Sequence, residues 1–207
     1  MTEFERMIRG QLYDASKPEL KQLSLKQRNL MNRYNQLTDE QVDEKQGLMT
    51  QLFGSVGRNV TIQAPVFIDY GVNTSLGDNF YCNYDCIFLD VSTIEIGDNV
   101  MFGPRVNLYT ATHPLDAGVR NRGLEYGLPI KIGSGTWIGG SSTILPGVTI
   151  GSNTIIGAGS IVNQDIPDNV IAVGNPCRVI RPLTESDQSY WQQLEADYFK
   201  SSDSNEE

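Results

Sequence analysis

Residues 131–167 read KIGSGTWIGGSSTILPGVTIGSNTIIGAGSIVNQDIP, and an aliphatic residue returns there every six positions without a miss: Ile132, Ile138, Ile144, Ile150, Ile156 and Val162. Neither a helix, with faces recurring at 3.6 residues, nor a simple strand, alternating at two, produces that rhythm. The residue after each anchor is Gly133, Gly139, Leu145, Gly151, Gly157 or Asn163, mostly the small or turn-tolerant types that a tight corner requires. A six-residue repeat of this kind predicts a parallel β-helix. Each hexapeptide supplies one flat side and a corner, and three complete a triangular coil. Successive coils stack at about 4.8 Å through backbone hydrogen bonds, with the repeated aliphatic side chain turned into a dry core.

Working upstream, Val60, Val66 and Val72 open the same rhythm. Leu76, Cys82, Phe88 and Ile94 carry a second phase of it, and Ile96, Phe102 and Leu108 a third. The phase slips by two residues between Asp90 and Ile94, which predicts residues bulged from a coil, and bulges re-aim side chains near functional sites. Past Leu108 the inward positions would fall on Pro114, Arg120 and Tyr126, none of them a small aliphatic. The chain is therefore expected to leave the prism over 109–129 and re-enter near Ile130. Loops held on rigid scaffolds are where function concentrates, and this one carries TATHP with His113, the single histidine of the 207 residues.

Before the solenoid, apolar residues at helical spacing predict two short helices, Glu3 to Gly10 and Glu19 to Leu37, with Pro18 at the start of the second. Thr38-Asp39-Glu40-Gln41 has the form of a capping box, with Thr38 at the N-cap of a third helix running to about Phe53. Residues 1–53 thus form a helical cap, 54–181 the β-helix with its inserted loop, and 182–207 a C-terminal helix (Thr184 to Phe199) followed by a disordered tail, SSDSNEE.

The totals exclude several functions. A net charge of -9 with no long basic run repels nucleic acid and anionic membranes. The charged N-terminus is neither a signal peptide nor a membrane span, so a cytoplasmic protein is expected. Cys82, Cys86 and Cys177 are an odd set that suits a reducing compartment. Cys82 and Cys86 lack the further Cys or His ligands of a metal site and read as small buried apolar residues.

At IGSGTWIGGSSTILPGVTIGSNTIIGAGSIV the chain resembles the hexapeptide-repeat acyltransferases, whose prism winds left-handed. With LGDNFYCN, IGDNV, TATHP, IGAGSIV and GNPCRVIR, it resembles their maltose and galactoside O-acetyltransferase branch over nearly its whole length. The resemblance implies transfer of acetyl from acetyl-CoA to a sugar hydroxyl, a primary one, in a homotrimer with sites between neighbouring prisms, and no metal. It implies that His113 is the general base. An alcohol is a weak nucleophile, and a base titrating near neutral pH must take its proton as it attacks the thioester. Asn83 would steady charge developing on oxygen. Asp69 and Asp90 would orient the acceptor, Tyr81 would border it, and Asp14 is a further candidate, although the family acid sits one residue later, where this chain has Ala15. Trp137, Gly140, Ala158 and Gln164 would lie along the pantetheine arm, with Gln164 standing where relatives often carry Lys. Arg178 and Arg181 are candidates for the nucleotide phosphates, which guanidinium forks match. No covalent acyl-enzyme is expected, because no Ser or Cys is paired with a second base.

Other readings stay open at this point. A non-sugar hydroxyl, on an antibiotic or an amino acid, is the nearest alternative, and a non-catalytic β-helix scaffold a more distant one. A γ-type carbonic anhydrase needs several zinc-binding histidines, and this chain has one. An ice-binding β-helix would show regular Thr ladders, which Thr143, Thr149 and Thr154 do not keep.

Overall fold

The computed structural model describes residues 1–203. Its centre is a solenoid with three parallel sheets. Face one carries Ser55–Val56, Thr74–Leu76, Ile94–Ile96, Ile130–Ile132 and Thr149–Ile150. Face two carries Thr61–Ile62, Tyr81–Cys82, Met101–Phe102, Trp137–Ile138, Ile155–Ile156 and Val170–Val173. The antiparallel strand Arg178–Pro182 closes its end. Face three carries Val66–Ile68, Cys86–Leu89, Asn107–Tyr109, Thr143–Ile144 and Ile161–Val162.

The six anchors from Ile132 to Val162 are all buried, at 0 to 3% exposure. Two residues before them, Thr136, Ser142, Val148, Thr154 and Ser160 are buried as well. Each flat side therefore points two side chains inward, a large anchor and a smaller residue. The glycine after an anchor is not at the corner itself. The left-handed backbone conformation falls two residues later, at Gly135, Ser141, Gly147, Asn153 and Gly159. Gly139 answers a different demand, because a Cβ there would lie 2.5 Å from the backbone nitrogen of Ala158 in the next coil. The close stacking of coils, not the turn, excludes a side chain at that position.

Coil length explains the slipping phase. Ser55 pairs with Ser75 and Ser75 with Glu95, a step of 20 residues, whereas Lys131 pairs with Thr149, a step of 18. The two extra residues of each early coil lie at the corner where face three turns into face one, at 69–73 and again at 89–93. Val72, expected as an inward anchor, is consequently half-buried, while Asn73 and Thr74 are buried. The excursion 110–129 leaves from the same corner one coil later.

Four phenylalanines fill the first half of the core. Phe88 meets Phe53 edge-on at 5.8 Å and Phe102 at 6.3 Å, and Phe80 meets Phe102 at 5.0 Å. Phe88 is fully buried, so Phe88→Ala is expected to cost about 3–5 kcal/mol of stability. Urea denaturation followed by circular dichroism checks this, and a loss under about 1 kcal/mol would mean that the coils close over the space.

The helices differ in detail from expectation. Helix α1 (Glu3–Ile8) starts at a capping box made by Thr2 and Glu5, and α2 (Pro18–Gln36) lies within one residue of its expected span at each end, with Pro18 at its start. Gln41 Oε1 does accept from Thr38 N at 3.0 Å, but the contact closes a turn; α3 (Val42–Leu52) begins after Gln41, with no side-chain cap. Tyr34 donates to the Ile62 carbonyl at 2.6 Å, and Asn35 both donates to and accepts from the Val66 backbone, fastening α2 to the first coil. The excursion contains a helical turn, α4 (Ala117–Arg120). The last helix, α5 (Glu185–Asp203), runs into the expected tail as far as Asp203; 204–207 lie outside the described residues. Thr184 and Asp187 cap its start reciprocally, at 2.9 and 3.3 Å. All three cysteines are free and buried. Among the described residues no helix is long and apolar enough to cross a membrane.

Candidate active site

The excursion is an ordered hairpin. Ala111–Thr112 pairs antiparallel with Leu124–Gly127, which pairs in turn with Tyr13–Asp14 near the N-terminus. That small sheet stitches the first residues of the chain over the corner between faces three and one. His113 follows its first strand, half in solvent, with Nε2 3.9 Å from Oε2 of Glu125. The phenol of Tyr13 donates to the other oxygen, Oε1, at 2.9 Å. Burial and the adjacent Glu125 push the Tyr13 phenol well above its ordinary pKa, so it stays a neutral donor.

Beside this pair lies a cavity of about 330 Å³ whose walls include Ala15, Lys21, Arg28, Asp69, Tyr70 and Glu125. Two carboxylates and two cations face a small polar space, a donor and acceptor set suited to a polyol. Burial, and then the charge of Glu125, raises the Asp69 pKa, which the nearby Arg28 partly opposes. Burial likewise raises that of the Tyr70 phenol.

Asp69 thus reaches the cavity, and two other expected contacts do not. Asp90 is fully buried one coil away. Its Oδ1 accepts from the backbone N–H of Tyr70 at 2.8 Å and of Gly71 at 3.0 Å, and its Oδ2 from the Thr74 hydroxyl at 3.0 Å. Both oxygens are occupied, so Asp90 serves the framework and not the acceptor. Asp14 accepts from Ser16 N at 2.9 Å and pairs with Lys17 at 3.2 Å; these partners, Ser16 first, hold its carboxyl below the usual range. Ala15, not Asp14, lines the cavity.

Asn83 and Tyr81 are elsewhere in the same chain. Tyr81 is half-buried on face two between Thr61 and Met101. Asn83 sits at the corner between faces two and three, its Oδ1 accepting from Tyr84 N at 2.8 Å. The whole width of face three separates Asn83 from the corner that carries His113.

The donor candidates divide in the same way. Gly140 and Ala158 occupy the corner of Asn83, one 18-residue coil apart. Gln164 is exposed at the corner of His113, beside Asn163, whose Oδ1 accepts from Arg178 at 3.1 Å. Trp137 is 52% exposed on face two and lines a cleft of about 880 Å³ against the start of α5, with Ile155, Ile171, Arg181 and Trp191. The fork of Arg181 is already filled by Asp187, at 2.6 and 2.8 Å, a pair that holds the Asp187 carboxyl well below its usual range. Arg181 is therefore taken up in steadying the capping carboxylate of α5, and Arg178 is the less committed guanidinium. Among the described residues no group of three or more His, Cys, Asp and Glu side chains could hold a metal ion.

Sequence reasoning missed Glu125, Tyr13, Lys21 and Arg28. Residues 13 and 125 meet only through antiparallel pairing across the chain, which leaves no local signal in either segment.

Comparison with known proteins gives a consistent result. The description "Maltose acetyltransferase hexapeptide capping motif" matches residues 6–57, and "Bacterial transferase hexapeptide (six repeats)" matches residues 129–164. Galactoside O-acetyltransferase of Escherichia coli (strain K12) is 41% identical over 187 residues, 90% of this chain and 92% of the relative. A crystal structure of a maltose O-acetyltransferase from Clostridium difficile 630 superposes with TM-score 0.88 at 49% identity, covering 89% of this chain and 98% of that one. Galactoside acetyltransferase in complex with coenzyme A superposes with TM-score 0.86 at 41% identity, covering 91% and 94%.

Proposed function

Because the chain belongs to the maltose and galactoside O-acetyltransferase branch of the hexapeptide-repeat acyltransferases, enzymes that use acetyl-CoA, we propose that it acetylates a primary hydroxyl of a sugar by direct attack, with His113 as general base. The observation that carries this reading is the only histidine set 3.9 Å from Glu125, a residue that lines a small polar cavity together with Asp69.

In this reading Asp69 accepts hydrogen bonds from acceptor hydroxyls, and Lys21 and Arg28 donate to acceptor oxygens. The imidazole of His113 takes the proton of the attacking hydroxyl as its oxygen bonds to the thioester carbonyl carbon. Glu125, fixed from behind by Tyr13, faces the resulting imidazolium and favours it. The carbon–sulfur bond then breaks, and the imidazolium returns its proton to the departing thiolate, so the acetyl ester and free coenzyme A thiol account for every atom.

Asn83 supplies its amide to the developing oxyanion, and it does so from another copy of the chain. One chain holds Asn83 and His113 at different corners, and a site between adjoining prisms joins them. We take the assembly to be the homotrimer that the resemblance to this branch implies, a closed ring in which each site lies between neighbouring copies. Gly140 and Ala158, small and stacked, leave room at Asn83's corner for a pantetheine arm beside Trp137, while Arg178 reaches for phosphate. A cytoplasmic location, where acetyl-CoA is supplied and the three free thiols stay reduced, goes with this reading.

A screen of maltose, glucose, galactosides, amino-acid hydroxyls and an antibiotic alcohol, read by release of coenzyme A thiol, tests the acceptor. Sugar turnover is expected to exceed that of the other alcohols by at least about tenfold in kcat/KM. A faster non-sugar acceptor would overturn the assignment.

A further inference from the structure

Asp90 lies in the second of the two bulges at the corner of His113, and its carboxylate holds the first. Oδ1 receives the N–H groups of Tyr70 and Gly71, Oδ2 receives the Thr74 hydroxyl, and the Asp90 carbonyl receives Asn73 Nδ2 at 2.7 Å. Every one of these partners belongs to the segment that follows Asp69 directly. The other bonds of that segment engage mainly its carbonyls, Gly71 O accepting from Gly54 N at 3.2 Å and Thr74 N at 2.9 Å and Asn73 O from Ile94 N at 3.0 Å, which leaves the N–H groups of Tyr70 and Gly71 to Asp90. Gly71 itself stands at φ +70°, where a side chain would strain the backbone and meet the Leu52 carbonyl.

The second bulge is gripped in the same manner by the next coil. Thr110 Oγ1 accepts from Ser92 N at 2.9 Å and donates to the Leu89 carbonyl at 2.7 Å. Thr110 is the residue at which the excursion departs, three positions before His113. Side chains thus clamp backbone from coil to coil along one corner, from the histidine hairpin through Asp90 to Asp69.

We propose that Asp90 is a positioning residue for the acceptor: by clamping the 69–73 bulge it fixes Asp69 in the polar cavity, and Thr110 couples that clamp to the hairpin carrying His113. The inference rests on the acceptor reading of that cavity. A carboxylate 0% exposed is otherwise an expensive choice for a bulge. Burial raises its pKa to about 7 against the pull of its three donors, and an amide of the same shape keeps the clamp. In Asp90→Asn the side-chain carbonyl would still accept from both N–H groups and the amide would turn toward the Thr74 oxygen, whereas alanine leaves all three donors without a partner.

The test compares Asp90→Ala, Asp90→Asn and Thr74→Val in the full-length protein. In Asp90→Ala the acceptor KM should rise about tenfold or more with the acetyl-CoA KM within about twofold, since displacement of a binding group by a fraction of an ångström has effects of this size. Amide exchange at Tyr70 and Gly71 should quicken while Ile138 and Ile156 keep their protection. Asp90→Asn should restore both readouts to within about threefold. Thr74→Val, which removes only the Oδ2 partner and stands in if Asp90→Ala does not fold, should raise the acceptor KM by about threefold. An unchanged acceptor KM in Asp90→Ala or Thr74→Val, or an equal rise in both KM values, overturns the proposal. Failure of the parent enzyme on every sugar would instead sink the acceptor reading, and unaltered amide exchange in Asp90→Ala would sink the clamp whatever the acceptor is.

Discussion

His113→Ala is expected to bind coenzyme A nearly as the parent protein does, while turnover falls by about two to four orders of magnitude. No second imidazole exists in the 207 residues to take over the proton. Glu125 cannot substitute easily: one of its oxygens is held by Tyr13 at 2.9 Å and the other faces the imidazole at 3.9 Å. The donor candidates Trp137, Gly140, Ala158 and Arg178 all lie on the prism and outside the hairpin, so removing the imidazole leaves them in place. Calorimetric titration with coenzyme A and single-turnover thiol release separate the two effects. Retained turnover would end the assignment of His113 as base, and loss of coenzyme A affinity in step with turnover would make it a binding residue instead.

Mixing two inactive variants gives the second large effect. Asn83→Ala and His113→Ala are each expected to lower turnover at least a hundredfold. Refolded together in equal amounts, they should recover about a quarter of the parent rate, because random assembly of a closed ring pairs an intact His113 of one copy with an intact Asn83 of its neighbour in about one site in four. The reason is geometric. Face three stands between the two residues within a chain, and the proposed site joins them across two prisms. Recovery confined to the sum of the two inactive rates would show that each chain works alone, and the role given to Asn83 would fall with it.

Much of the framework could be read directly from residue order. The inward anchors from Ile132 to Val162, the break after Leu108, the return at Ile130 and the departure of the loop holding His113 follow from a period of six and its interruption. That period is visible because every flat side turns the same position of its hexapeptide into the core, so the burial pattern repeats along the sequence itself. The resemblance carried by TATHP and GNPCRVIR pointed to the histidine and to the chemistry of the branch, and it supplied the handedness, which spacing does not encode.

Other features required the fold. Asp90 and Asp69 look alike as turn residues in FLDVS and FIDYG, yet one is a fully buried clamp and the other a cavity wall, because a register step of 20 residues sets Asp90 under the backbone of Tyr70 and Gly71. Arg181 resembles a free phosphate ligand in GNPCRVIRP until α5 brings Asp187 into its fork. Glu125 becomes the partner of His113 only when the excursion folds back on itself and binds Tyr13. Residue order was enough to say which side chains point into the spool and where the chain leaves it, since those choices depend on local alternation between core and solvent. Which polar groups share a corner emerged only in the folded chain, because hydrogen-bond partners and desolvation are set by coils and strands that meet across long stretches of sequence.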